Sequence, residues 1–137
     1  MHEDKNISIL LISEYNPRSE ILSQRISEVF DCKLKLKKVQ NISEAINLSS
    51  FKPEIIFLDL ANIKSPALNT VQTISKNFNN SKVIASHIYY SRVLIDPLFK
   101  NGIDAYLTYE PSVKQISNAV DKVSSGEKFL PSRIRNR

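Results

Sequence analysis

The stretch Pro53-Glu54-Ile55-Ile56-Phe57-Leu58-Asp59-Leu60 decides the fold. Four consecutive apolar residues, led in by Pro53 and stopped at Asp59, read as a short strand buried on both faces, as in a parallel sheet covered by helices. A carboxylate at the end of such a strand is costly unless it meets water, a partner or a metal. Asp59 is therefore expected where the central strand of the sheet emerges. Residues 7–12 (Ile-Ser-Ile-Leu-Leu-Ile) form a second buried strand of the same kind.

Working outward, strand-like and helix-like segments alternate. Asn16-Pro17 opens a helix, with Asn as N-cap and Pro at the first helical position. Ile21, Leu22, Ile26, Val29 and Phe30 mark its apolar face. Residues 33–39 alternate strictly, which predicts a half-buried strand near a sheet edge with Lys33, Lys35 and Lys37 facing out. Asn41-Ile-Ser-Glu44 has capping-box spacing and opens a short helix to about Ser50. A helix over 67–77 carries Leu68, Val71 and Ile74, and Asn79-Asn80-Ser81 turns the chain into a strand over 82–86. Residues 91–100 are expected to be helical, with Val93, Leu94, Leu98 and Phe99 apolar and Pro97 as an interior irregularity. A last strand covers 105–108. Ser112-Val-Lys-Gln115 caps a final helix with Val113, Ile116, Val120 and Val123 on one face. Gly102 and Gly126, the two glycines of the chain, each follow a helix, where a left-handed residue ends it.

Strand and helix repeat five times. That order predicts an α/β fold, a five-stranded parallel sheet in a doubly wound sandwich with strand order 2-1-3-4-5. In such sheets the functional crevice lies at the carboxyl ends of the strands, beside the switch between strands 1 and 3. The residues there are Ser13, Glu14 and Tyr15, then Asp59, Ser86, His87 and Tyr109. Glu14 and Asp59 are expected to converge, and two carboxylates can hold a hard cation such as Mg²⁺.

The composition excludes other classes. The chain has 137 residues, 42% hydrophobic and 24% charged, which is one ordinary globular domain and not a disordered chain. Its longest apolar runs are far short of the ~20 residues of a membrane span, and no secretory signal opens it. With two glycines it has no phosphate-cradling loop, so a P-loop and a dinucleotide site are absent. Cys32 is alone, which excludes a disulfide framework and points to a reduced cytoplasmic setting. The net charge is +5, but Arg133, Arg135 and Arg137 sit in the last five residues, and taking those three from +5 leaves +2. The lysine run and the arginine tail are read as solvated surface.

From Ile7 to about Pro131 the chain resembles a response-regulator receiver domain (CheY-like) of the NarL/LuxR-type branch. Phe57-Leu58-Asp59-Leu60 resembles the strand bearing the phosphoacceptor aspartate. Lys100-Asn-Gly102-Ile-Asp-Ala-Tyr106-Leu resembles the segment before strand 5, with Tyr106 as the switch aromatic. Glu110-Pro-Ser-Val-Lys-Gln-Ile and Ser125-Gly126-Glu-Lys-Phe-Leu resemble the last helix and its exit. The resemblance implies a receiver domain over 1–130 and a linker or tail over 131–137 that would lead to a DNA-binding output domain absent from this chain. It implies a regulatory module rather than an enzyme, with a sensor histidine kinase and a second copy as partners, no membrane, and DNA contacted through the output domain alone. It leaves the dimer face open between the 4-5-5 face and helices 1 and 5.

The departures from the family pattern carry equal weight. The acidic pair after strand 1 reads Ser13-Glu14. The switch hydroxyl position falls at His87, or at Ser86 with a one-residue shift. The lysine after strand 5 falls at Tyr109. The loop after Asp59 has its Pro displaced to Pro66 and Gly replaced by Ala67. Phosphoryl transfer needs positive charge where negative charge develops. One pair at about 4 Å and an effective dielectric of 20 interacts by roughly 4 kcal/mol, about a thousandfold in rate. His87 either supplies charge when protonated or is a neutral imidazole bonded to Asp59 or to backbone. The expectation is an atypical receiver with Asp59 kept, Mg²⁺ weak, held by Glu14 and Asp59, and His87, Tyr106 and Tyr109 at the switch positions. Two other readings are an ordinary receiver phosphorylated on Asp59 by a histidine kinase, and a basic nucleic-acid-binding module. A flavin protein of similar fold is disfavoured by Ser13-Glu14-Tyr15-Asn16-Pro17, which offers no phosphate loop.

Overall fold

Buried strands and one-sided helices solve each other's solvation problem by packing in layers. The computed structural model describes residues 6–30, 33–48 and 50–135. Its elements are β1 (Asn6–Ile12), α1 (Asn16–Val29), β2 (Lys33–Val39), α2 (Ile42–Ile46), β3 (Ile55–Asp59), α3 (Ala67–Asn77), β4 (Lys82–Ser86), α4 (Arg92–Lys100), β5 (Ala105–Leu107), α5 (Val113–Ser124) and α6 (Ser132–Arg135), with a 3₁₀ turn at Leu60–Asn62. All strand pairs are parallel, in the order β2-β1-β3-β4-β5, as expected.

The continuous apolar strands follow from two covered faces. Leu10, Ile12, Ile56, Leu58, Val83, Ala85 and Tyr106 pack with Ala45 of α2, Val71 and Ile74 of α3, and Ile95 and Leu98 of α4. The alternate residues Ile9, Leu11, Ile55, Phe57, Ile84, Ala105 and Leu107 pack with Leu22 and Ile26 of α1 and Ile116, Ala119, Val120 and Val123 of α5. Side chains two apart share a face. Ser13 therefore continues the row of Leu11, Asp59 that of Phe57, and Ser86 that of Ile84, all toward α1 and α5.

Several boundaries differ from the sequence expectations. The N-cap of α1 is Tyr15, so Asn16 lies inside the helix and makes no capping bond. Ile21 turns outward at 46% exposure, and the buried stripe is Arg18, Ser19, Leu22 and Ile26. α2 ends at Ile46 rather than near Ser50, after one turn capped by the Asn41 side chain on the Glu44 amide. β3 ends at Asp59 because Leu60 enters the 3₁₀ turn. β5 ends at Leu107, since the Thr108 amide donates to Gln115 instead of a strand. In α4, Ile95 and Leu98 face the core while Val93 is 80% exposed. Gly102 has φ +135° and sits so close to Ser75 that a Cβ there would lie 2.6 Å from that side chain.

The tail is also corrected. Ile134 is fully buried, in the same cluster as Tyr106, and Pro131 is buried beside it. Phe129 bridges in parallel to Ala105 on the outer edge of β5. Burial of Ile134 removes apolar surface from water and gives α6 a reason to dock despite its arginines. Cys32, Arg137 and the first five residues lie outside the described residues. Among the described residues no helix is long and apolar enough to cross a membrane.

Candidate functional site

At the carboxyl end of β3 the Asp59 carboxylate is enclosed, with its side chain fully inaccessible. The parallel register pairs Asp59 with Ser86 across β3 and β4, so both side chains rise on the α1/α5 face. What meets Asp59 there is Arg18. Its Nε donates to Asp59 Oδ1 at 2.9 Å, and its Nη2 donates to Ser86 Oγ at 3.0 Å. The Ser13 hydroxyl donates to Asp59 Oδ2 at 2.7 Å, and Asn62 Nδ2 donates to the same oxygen at 3.1 Å. Ser86 Oγ in turn donates to the Thr108 carbonyl at 2.8 Å. The Tyr109 ring lies under the guanidinium, 3.7 Å from Cζ to ring centroid.

Arg18 is 6% exposed, and a buried cation is tolerated when its charge is paired and its donors are used. The helix puts it there. Arg18, Leu22 and Ile26 are four apart, one stripe on the face of α1 that packs on the sheet. Arg18 also lies in the first turn of α1, which has no acidic residue, and a cation is disfavoured by the dipole at that end. The Asp59 carboxylate offsets both the burial and the dipole. Outside the pocket Glu110 lies 4.0 Å from Arg18 Nη1 and 3.5 Å from Arg25 Nη1, and Arg25 also donates to the Pro111 carbonyl at 2.9 Å. The loop after β5 is thus tied to α1.

No hydrogen bond or ion pair joins Glu14 to Asp59, and among the described residues no group of three or more His, Cys, Asp or Glu converges. The expected Glu14–Asp59 pair for Mg²⁺ does not fit this arrangement, because both Asp59 oxygens already accept from Arg18, Ser13 and Asn62. The void lined by Leu11, Leu22, Phe57, Asp59, Ile84, Ser86 and Leu107 is about 10 Å³, room for one water at most. Between the two candidates after β4, Ser86 is the residue whose hydroxyl faces the site.

His87 belongs to the other side. Its ring lies 4.1 Å from that of Tyr89, its backbone amide donates to the Leu107 carbonyl, and its Nδ1 is buried with no partner. The imidazole is therefore not bonded to Asp59, contrary to one expectation. Burial holds its pKa below the ordinary 6.5, with the Asp59 charge partly opposing, so it favours the neutral form. Tyr106 is fully buried, its hydroxyl donating to the Tyr89 carbonyl at 2.8 Å. Burial pushes its phenol up, out of its usual range. Tyr109 contributes a ring face to Arg18 and no charge.

Arg18 is the residue that sequence reasoning missed. Its spacing with Leu22 and Ile26, and its place in a first helical turn without acids, are the signals that point to it.

The same architecture, with a TM-score of 0.82 over 96% of this chain and 94% of the other at 14% identity, occurs in a LuxR-family two-component response regulator from Aurantimonas sp. SI85-9A1. The fold is that of a response-regulator receiver domain. The isolated REC domain of RcsB from Salmonella enterica serovar Typhimurium, in the presence of phosphomimetic BeF3-, superposes with a TM-score of 0.80 at 11% identity, covering 96% of this chain and 98% of that one. A longer RcsB response regulator from Salmonella typhimurium gives 0.81 at 11% identity over 99% of this chain. The chain spans 65% of the length of that protein. No family model and no curated protein sequence matches the chain. Within this receiver fold, the aspartate that ends β3 is held by an arginine from α1.

Proposed function

We propose that this chain is a signal-receiver module, of the kind found in transcriptional regulators, in which Arg18 holds the acceptor-position aspartate shut, so that signalling runs mainly through protein contacts. The observation that carries this is Asp59 itself, fully inaccessible and with both oxygens occupied. An attacking oxygen must come within about 3–3.5 Å of the phosphorus with its lone pair aligned. To admit a phosphoryl group, Asp59 must shed Arg18 from Oδ1 or the Ser13 and Asn62 donors from Oδ2, and the void beside the carboxylate is only about 10 Å³. Disrupting a buried pair costs about 3–5 kcal/mol, a factor of roughly 10² to 10³ or more in rate.

Protein contact has its own support. Ile88, Tyr90, Val93 and Leu94 are exposed together at the start of α4, and clustered apolar surface of this kind marks interaction sites. A second copy, or an output domain elsewhere in the regulator, is the partner class this module would serve. A histidine kinase would be a poor phosphodonor to it.

The test is incubation of the full chain with acetyl phosphate and Mg²⁺, followed by intact mass and sedimentation. Little or no labelling, with unchanged assembly, is expected. Stoichiometric addition of one phosphoryl group with a change in assembly, abolished by Asp59→Ala, would establish the ordinary phospho-accepting receiver instead.

A further inference from the structure

The segment after α5 does not simply leave the domain. Phe129 N donates to the Asp104 carbonyl at 3.1 Å, and Tyr106 N donates to the Phe129 carbonyl at 3.0 Å, so the segment covers the outer edge of β5. Lys128 Nζ pairs with Asp104 at 3.1 Å. Further on, Ile134 inserts into the core cluster that contains Tyr106. Arg133 Nη2 donates to the Tyr90 hydroxyl at 3.2 Å, its guanidinium 5.3 Å from that ring centroid.

Tyr106 is thereby held from two sides. Its backbone amide is bonded by the C-terminal segment, and its hydroxyl is bonded to Tyr89 in the loop between β4 and α4. The next loop residue, Tyr90, is held by the same C-terminal segment. The contacts close a ring from strap to Tyr106, to Tyr89, to Tyr90 and back to the strap. The His87 ring packs at a 42° tilt against Tyr89, and its partnerless Nδ1 gives the loop no bond of its own there.

We infer that residues Lys128 to Ile134 form a releasable strap that clamps the β4–α4 loop, so that undocking of the strap and rearrangement of residues 87–91 are one event. The consequence is regulatory. Tyr90 belongs both to the strap contact and to the exposed apolar surface with Ile88, Val93 and Leu94. Loss of the Arg133 contact therefore frees Tyr90 and loosens the strap in one step. This coupling does not depend on whether Asp59 is ever modified.

The test is hydrogen exchange by mass spectrometry on the full chain, reading peptides over 87–91, 104–107 and 128–134. Arg133→Gln and Tyr90→Ala each remove a contact of the cation–ring kind, so each should speed exchange in both the strap and the loop by about two- to fivefold. Exchange over β1 and β3 should stay unchanged. Ile134→Ser should act in the same direction and more strongly. If Ile134→Ser speeds exchange everywhere, it has unfolded the domain, and the two surface variants decide. Strap variants that move 128–134 and leave 87–91 untouched would overturn the coupling. So would a Tyr90→Ala protein whose strap exchanges at the parental rate.

Discussion

Replacing Arg18 by methionine removes the charge and keeps most of the apolar stem. The lost contacts are Nε to Asp59 at 2.9 Å, Nη2 to Ser86 at 3.0 Å, and the face contact with Tyr109 at 3.7 Å. Asp59 would keep the Ser13 hydroxyl at 2.7 Å and the Asn62 amide at 3.1 Å, both neutral donors, with no counter-charge in a pocket closed to water. Removing one partner of a buried pair costs about 3–5 kcal/mol, whereas an exposed pair such as Lys38–Glu20 is worth about 0–1 kcal/mol. For a domain of this size each kcal/mol shifts the melting midpoint by a few degrees, so Arg18→Met should lower it by roughly 10–15 °C at neutral pH. The assay is thermal and urea unfolding of the parent, Arg18→Met, Asp59→Leu and the double variant. With both charges gone, the double variant should fall short of the summed single effects by about 2 kcal/mol or more. An Arg18→Met protein within about 1 kcal/mol of the parent, or an additive cycle, would refute the buried-pair argument.

Tyr106→Phe leaves the Tyr89 carbonyl without its donor and should cost about 1–3 kcal/mol in urea unfolding; no change would mean that the hydroxyl is dispensable. Ile134→Ala removes a fully buried side chain and should cost about 2–5 kcal/mol, and truncation after Leu130 should lower the melting midpoint by several degrees rather than leave it unchanged. His87 has a folded-state pKa below its ordinary 6.5, so the unfolded chain takes up its proton first as pH falls. Its contribution to stability is complete above 6.5 and is lost as the pH drops from there through the folded-state value. The urea midpoint of His87→Gln should therefore vary less over that window than the parent's, and an identical pH dependence would show that His87 titrates as it does in the unfolded chain.

The sheet order and the place of Asp59 were legible because an apolar run stopped by one acid admits few structures. The placement of Ser86 and His87 is not, because it turns on where β4 ends; the register sets Ser86 opposite Asp59. Arg18 is hidden because apolar residues alone do not mark it as part of the buried face of α1. The stripe of Arg18, Leu22 and Ile26 was there to be seen, and Ile21, counted on that face, points outward. The pairing of Glu14 with Asp59 was expected from chain proximity at the sheet end, but the Ser13 hydroxyl and the Arg18 guanidinium take the carboxylate's oxygens instead. In sequence Ile134 looks like part of a basic tail because its neighbours are arginines. Its burial accompanies the bridge from Phe129 to the edge of β5, a long-range contact that local composition does not encode.

Arg18 closes the site only if it occupies Asp59 in solution, and the Arg18 Nε–H resonance reports this directly. A nitrogen–proton correlation spectrum of the full chain, assigned by its loss in Arg18→Lys, should show a slowly exchanging Nε–H because that proton is buried and bonded to Asp59 Oδ1. The signal should persist in millimolar Mg²⁺ and should shift or broaden away in Asp59→Asn. An Arg18 Nε–H that exchanges like a solvated arginine, or one that disappears as Mg²⁺ saturates the site, would show that Arg18 does not hold the carboxylate.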